Sequence, residues 1–247
     1  MVAKSFYQIL TGTFGEKNFS GAVLTPDRLP KPVKFDLRFP SCADGEICGV
    51  TRFKGKDAVA LTSIGSTAVS PLFSLSDQTI SHTAISPDRQ KIAFAATNDK
   101  TGGTVLRVIM REEFGWFPLP FIKLPCLASP ICFCSSAAVL HTAPDGALNA
   151  VLLSRNPKTV AVAPAGRLPA YHQERRLTAY ATDGEIVVTG SVSRKIAVGD
   201  VGAQTFSKDG GALLYAVRNT LFRLDLDAER PVVLYEADGP IDFAAEF

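Results

Sequence analysis

AISPDRQKIAFAA, residues 84–96, breaks an apolar run at Ser86-Pro87-Asp88 and opens a second strand-like run within four residues. The formula recurs. Near-copies are TAPDGALNAVLLS from Thr142, YATDGEIVVTGS from Tyr180, TFSKDGGALLYAV from Thr205 and, more loosely, SCADGEICGVTRF from Ser41. In each, the Asp carboxylate is placed to accept from a backbone N–H two residues on. Where Gly follows, it supplies the positive φ of a tight hairpin.

Around these turns the hydrophobic period is that of strands. KIAFAAT, TVLRVIM, LNAVLLS, TVAVAP, EIVVTGS, KIAVGDV, ALLYAV, TLFRLDL and PVVLYEA are short runs rich in Val, Ile, Leu and aromatics. Gly, Pro, Asp or Asn ends them. Only MREEF and YHQERR suggest helix, and both are short. The fold class is all-β.

The turn aspartates Asp44, Asp88, Asp145, Asp183 and Asp209 lie 44, 57, 38 and 26 residues apart. Units of about 40 residues, each an inner strand, an Asp turn and further strands, match the blades of a β-propeller. A single propeller domain over residues 1–247 is expected, with six blades. Five is the alternative, if 137–203 is one elaborated blade. Blades between Ala137 and Gly202 are expected to be thin, with three strands. GPIDFAAEF is a lone strand in need of partners, and SFYQILTG, SGAVLTP and VKFDLRF precede the first Asp turn. Residues 1–38 and 239–247 are therefore expected to form one composite blade that closes the ring by pairing the N- and C-terminal strands.

ISPDRQKIAF resembles the Ser-Pro-Asp-Gly-Lys-x-Ile-Ala-Phe blade signature of the TolB-like, or PD40 (WD40-like), propeller repeats, with Arg89 where that family usually has Gly. FSKDGGALLYAVRNTLFRLDLDAERPVVLYEADG resembles a whole blade of the family. The likeness is specific over 84–124 and 204–238, weaker for the units starting near Ser41 and Ala137, and poor over 171–203. What it implies is a fold, which by itself does not give a function.

Composition narrows the partners. With 26 Lys plus Arg against 24 Asp plus Glu, the net charge of +2 lacks the basic excess of a phosphate-tracking surface, so nucleic acid is not expected. MVAKSFYQILTGTFGEK has no apolar core followed by a cleavage site, which leads to a cytoplasmic expectation. Without a secretory route the sequon at Asn18 carries little meaning. From Phe114 to Leu140 the only charge is Lys123, but Pro118, Pro120, Pro125 and Pro130 cut the segment into pieces too short for a membrane-spanning helix. Buried strands joined by a proline-rich loop are expected there, with a sticky docking loop as the functional alternative.

Candidate sites follow. Cys42, Cys48, Cys126, Cys132 and Cys134 lack the Cys-x-x-Cys spacing of a structural zinc site and read as small buried thiols, so no metal is expected. The repeated aspartates read as turn caps rather than calcium ligands. His82 and His141 precede Asp turns by six and four residues and are placed on or near inner strands, where a propeller enzyme would keep a general base. His172 is the third histidine. No nucleophile elbow, His-Glu-x-x-His pair or phosphate-binding loop is present, and no cofactor is expected. GRLPAYHQERR reads as a basic loop, a solvated connection by default, in which Arg167, Tyr171, Arg175 and Arg176 could instead meet an acidic partner or stack on a base. Trp116, Phe117 and Phe121 in EEFGWFPLPF are the candidate aromatic anchors of an interface.

Two functions remain. The first is a non-enzymatic interaction module that binds another protein as a subunit or scaffold of a larger assembly. The alternative is a propeller enzyme, hydrolase-like or lyase-like, or a small-ligand binder, with His82 and His141 in the central channel. Histidines and acids converging in one pocket would favour the alternative. Segments 114–131 and 166–176 exposed on one rim would favour the module.

Overall fold

The computed structural model describes residues 8–14, 18–26, 28–66, 68–120 and 122–246. Every helix or strand among them is a strand. Blade 1 holds β1 (Ile9–Phe14), β2 (Phe19–Thr25), β3 (Arg28–Phe35) and β25 (Phe243–Glu246). Blade 2 holds β4 (Arg38–Ala43), β5 (Glu46–Phe53), β6 (Lys56–Ser63) and β7 (Ser70–Ser74). Blade 3 holds β8 (Gln78–Ile85), β9 (Lys91–Asn98), β10 (Thr104–Glu112) and β11 (Gly115–Pro118), with β12 (Leu124–Pro125) also on β10. Blade 4 is β13 (Cys132–Ser135), β14 (Ala138–Thr142), β15 (Leu148–Leu152) and β16 (Lys158–Ala163). Blade 5 is β17 (Arg167–His172), β18 (Leu177–Ala181), β19 (Glu185–Thr189) and β20 (Arg194–Ala197). Blade 6 is β21 (Val201–Phe206), β22 (Ala212–Val217), β23 (Thr220–Asp225) and β24 (Val232–Glu236).

The innermost strands β25, β4, β8, β13, β17 and β21 touch one another in a closed circle. The molecule is thus a six-bladed β-propeller. Its ring closes as expected, by antiparallel pairing of β25 with β1 from Ile9↔Glu246 to Gly12↔Phe243. Because each blade is antiparallel, turns after first and third strands lie on one face, called the front. Turns after second and fourth strands lie on the back.

Blade position explains the continuous apolar runs. In β9, Ile92, Phe94 and Ala96 pack toward blade 2, while Ala93 and Ala95 pack toward blade 4. A second strand is sandwiched between neighbouring blades, so both faces are apolar and each large side chain contributes about 1.5–3 kcal/mol. A buried carboxylate, held by two arginines of its own blade 2, reaches across to a backbone N–H of blade 3. Asp57, only 2% exposed, receives Arg38 Nη2 at 2.8 Å, Arg52 Nη1 at 2.9 Å and the Ile80 N–H at 3.0 Å.

Several expectations are corrected. Blades 4 and 5 have four strands, not three, since β16 and β20 complete them. MREEF is the end of β10 and a hairpin, and YHQERR is the end of β17 and a turn. Both are too short to nucleate a helix against the pairing of their strands. The proline-rich run fills the gap between blades 3 and 4, where Ile122, Cys126, Ile131 and Phe133 are buried. No helix in the described residues is long and apolar enough to cross a membrane.

The uneven Asp spacing also resolves. Asp44, Asp88 and Asp209 sit in front turns between first and second strands, whereas Asp145 and Asp183 sit in back turns between second and third strands. Crossing from one kind to the other adds or removes a strand from the interval, hence the long step of 57 and the short step of 26.

Candidate functional site

The central channel is a cavity of about 410 Å³ to which all six inner strands contribute. Five of those strands, β4, β8, β13, β17 and β21, change register against their neighbours. Such bulges bend a strand and re-aim one side chain. At three of them a non-glycine residue takes a left-handed backbone: Phe39 (φ 50), His82 (φ 49) and Leu168 (φ 52). All three line the channel. Recurrence in five blades assigns the bulge to the geometry of the crowded ring, and the variable element is the side chain each blade presents.

His82 lies against Phe39, with ring centroids 4.6 Å apart and the planes tilted by 37°. Burial pushes its pKa down from 6.5 to about 4, which keeps the imidazole neutral. Among the described residues no Lys or Arg lines the cavity, and the carboxylates that do, Asp44 and Asp242, belong to opposite ends of their inner strands. Asp242 accepts from the Thr13 hydroxyl at 2.7 Å. Tyr171 also lines the channel, where burial raises the pKa of its phenol.

His141 does not join His82. The Asp145 turn is a back turn, so His141 falls on β14, a second strand, and is absent from the channel wall. It is 2% exposed, and burial lowers its pKa against a smaller opposing pull from the Thr142 backbone. His172 sits at the front, its Nε2 3.0 Å from the Lys208 carbonyl.

Burial raises the pKa of all five thiols, to about 11 for Cys42 and about 12 for Cys48, Cys126 and Cys132, so they are poor nucleophiles. Cys48 donates to Thr83 Oγ1 at 3.3 Å across blades 2 and 3.

The predicted interface residues divide between faces. GRLPAYHQERR is not a loop but β17 and its turn. Arg167 stands at the back end, bonded to Asp200 at 2.5 Å and to the Val201 carbonyl. Arg175 and Arg176 are exposed on the front. Trp116 packs against the blade 2–3 core, with the Arg111 guanidinium 4.8 Å from its ring and Arg111 reaching Glu46 at 3.4 Å. Phe117 is 46% exposed and its neighbour Phe114, in the front hairpin of blade 3, 87%. Phe121 lies outside the described residues. Reading the sequence missed Phe114, although its place beside two glutamates at a hairpin tip was a signal. It also missed Asp57, for which the sequence offers no motif.

No protein family profile matches this chain, and no curated protein matches it in sequence. Among solved structures it is similar to TolB from Acinetobacter baumannii, with 12% identity and a TM-score of 0.76, covering 97% of this chain and 66% of that one. It is similar to a chain of the nidogen/laminin complex, with 8% identity and a TM-score of 0.70, covering 97% and 98%. Prolyl oligopeptidase B from Galerina marginata follows, with 13% identity and a TM-score of 0.57, covering 94% and 41%. At such identities the likeness is one of fold, and this chain spans just under two thirds of the TolB chain.

Proposed function

We propose that this protein is a non-enzymatic β-propeller interaction module that binds another protein as a subunit or scaffold of a larger assembly. The observation that carries this reading is where large apolar side chains are uncovered. Phe114, Phe117, Val160, Val162, Val232 and Val233 are exposed on outer strands and turns, away from the channel wall. Phe114 and Phe117 of blade 3 and Arg175 and Arg176 of blade 5 flank blade 4, an aromatic and a basic border for one partner. The nidogen/laminin neighbour is itself part of a protein–protein complex. Five unpaired cysteines suit a reducing compartment such as the cytoplasm.

A second reading, a small-ligand binder or enzyme in the channel, draws on the neutral His82 in the cavity wall. The carboxylates of that wall among the described residues, Asp44 and Asp242, stand at the ends of their strands and not at its middle.

The test is affinity capture from native lysate at physiological salt, with a Phe114→Ser, Phe117→Ser variant in parallel and circular dichroism as the folding control. A stoichiometric protein lost with the variant supports the module. Capture of nothing, or of the same proteins by both, retires it and turns attention to ligands of the channel.

A further inference from the structure

The six outer strands meet solvent with unequal protection. An edge strand offers unpaired N–H and C=O groups, and proteins blunt such edges with proline, charge or brevity. β3 carries Pro30, Pro32, Arg28, Lys31 and Lys34, and β7 carries Pro71. The edge of blade 3 is split into β11 and β12, each ending in proline. β20 is four residues long with Arg194 and Lys195, and β24 ends on Glu236.

β16 is different. Thr159-Val160-Ala161-Val162-Ala163 contains no proline and no charge, and Lys158 through Val162 are all exposed, Val160 at 63%. Pro157 and Pro164 stand just outside it and give the open stretch sharp ends. Register with β15 shifts at Val162, leaving Lys158–Ala161 in regular pairing. Val160 lies opposite Ala150, and Leu152, 45% exposed, extends the apolar surface along β15.

The surroundings are basic. From Gly146 to Gln173 the chain has no acidic residue. Arg155 and Lys158 are exposed at the front end of β16. A row of backbone donors and acceptors is satisfied by another extended main chain, and a basic end favours a carboxylate against it.

We propose that β16 is a docking edge, which takes an extended segment of a partner protein as a fifth strand of blade 4. The segment is about as long as β16, six residues, with small or β-branched apolar side chains and an acidic residue against Arg155 and Lys158. This rests on the interaction-module reading and names its surface and the chemistry of the partner.

The probe is a blocked six-residue peptide of alternating Thr and Val with Glu at both ends, labelled for fluorescence anisotropy, beside a twin carrying Lys at both ends. Saturable binding of the Glu peptide, several-fold weaker binding of the Lys twin, and slowed amide exchange within 158–163 are expected. Lys158→Glu should narrow or reverse the charge preference, and Val160→Lys should weaken binding about tenfold or more. The comparison of twin peptides needs no variant, and circular dichroism checks that each variant folds. Absence of saturation, equal binding of the twins, or protection at other strands overturns the proposal. Self-association in sedimentation that Val160→Lys abolishes also overturns it, in favour of a second copy of this chain. A stoichiometric partner captured equally by wild type and Val160→Lys refutes the edge and leaves the module standing, whereas capture of no protein refutes the module itself.

Discussion

The turn that leaves β8 and the turn that leaves β14 both hold an aspartate two residues past their first corner, yet only one is clasped from both sides. Ser86 donates to Asp88 Oδ1 at 2.5 Å and receives the Lys91 N–H at 2.9 Å, while the carboxylate also accepts from the Gln90 N–H at 3.0 Å. Blade 6 repeats the clasp, with Ser207 to Asp209 at 2.6 Å, Gly211 N–H to Asp209 at 2.8 Å and Ala212 N–H to Ser207 at 2.8 Å. In blade 4 the corner residue is Ala143, which has no hydroxyl, and Asp145 keeps a single local bond from the Ala147 N–H at 3.0 Å. That turn also closes one residue sooner, with the Ala143 N–H on the Ala147 carbonyl. The three turns are alike in burial, with Ser86, Ser207 and Ala143 at 0%, 1% and 8% exposure and all three aspartates in solvent. The difference lies in the corner residue: a Ser hydroxyl ties the turn amide and the carboxylate together on one atom, whereas the shorter Ala143 turn closes through its backbone.

Acid should separate the clasp from the strand that leads into it, and this is the largest expected effect. The folded-state pKa of His82 lies below its unfolded value of 6.5, near 4. The stability it contributes is therefore complete above about pH 6.5 and is lost as pH falls, by about 3 kcal/mol at pH 4. His141, lowered by burial as well, acts in the same direction. Asp88 is pushed up by burial but held lower overall by the Ser86 hydroxyl and the Gln90 amide, and Asp209 is lowered by Ser207 and Gly211. Their contribution persists above about 3.8 and disappears as pH drops through their lower folded values. Urea midpoints of wild type should begin to fall near pH 6.5. A His82→Asn, His141→Gln variant should stay level to about pH 4 and fall only below it; an unchanged profile would remove the imidazoles from the account.

Next in size, Ser86→Ala and Ser207→Ala should each cost about 2 kcal/mol, because a buried amide and a carboxylate both lose a partner. Ala143→Ser should bring no gain in the same denaturation assay, because that turn closes one residue sooner through its backbone, and a gain there would break the distinction between the two turns. Gly210→Ala and Gly146→Ala, at φ 65 and 88, share about 1 kcal/mol of backbone strain. At Gly210 the new Cβ would also lie 2.6 Å from His172 Nδ1, whereas nothing stands within 4 Å of the Gly146 position. Thermal melts should thus order Gly210→Ala below Gly146→Ala. The smallest effect belongs to Asp145→Ala, about 0.5–1 kcal/mol, against a larger loss for Asp88→Ala.

Much of the ring was legible from strand periods and from the turn aspartates, since both reflect local chemistry. What misled was register. Asp145 marks a second turn and not a first, and only pairing across strands reveals it, so His141 was placed near the channel while it lies buried in blade 4. The charged stretches read as short helices because Glu113 and Arg175 look helical when their partners in the ladder are unseen. Arg167, Arg175 and Arg176 seemed one loop, although β17 carries the first to the back and leaves the others at the front. Asp57 and the bare edge of β16 depend on neighbours far along the chain, or on a comparison among six blades that requires the blades to be drawn.

Pairing of β25 with β1 gives the ring a timetable. Within this domain β1 and its hairpin partners are synthesised ahead of the other blades, with the inner edge of β1 still unpaired. No later blade supplies the missing strand until Phe243–Glu246 has been synthesised. Among the described strands this pairing spans the most sequence, and the large loop it must close makes ring closure the slow contact of folding.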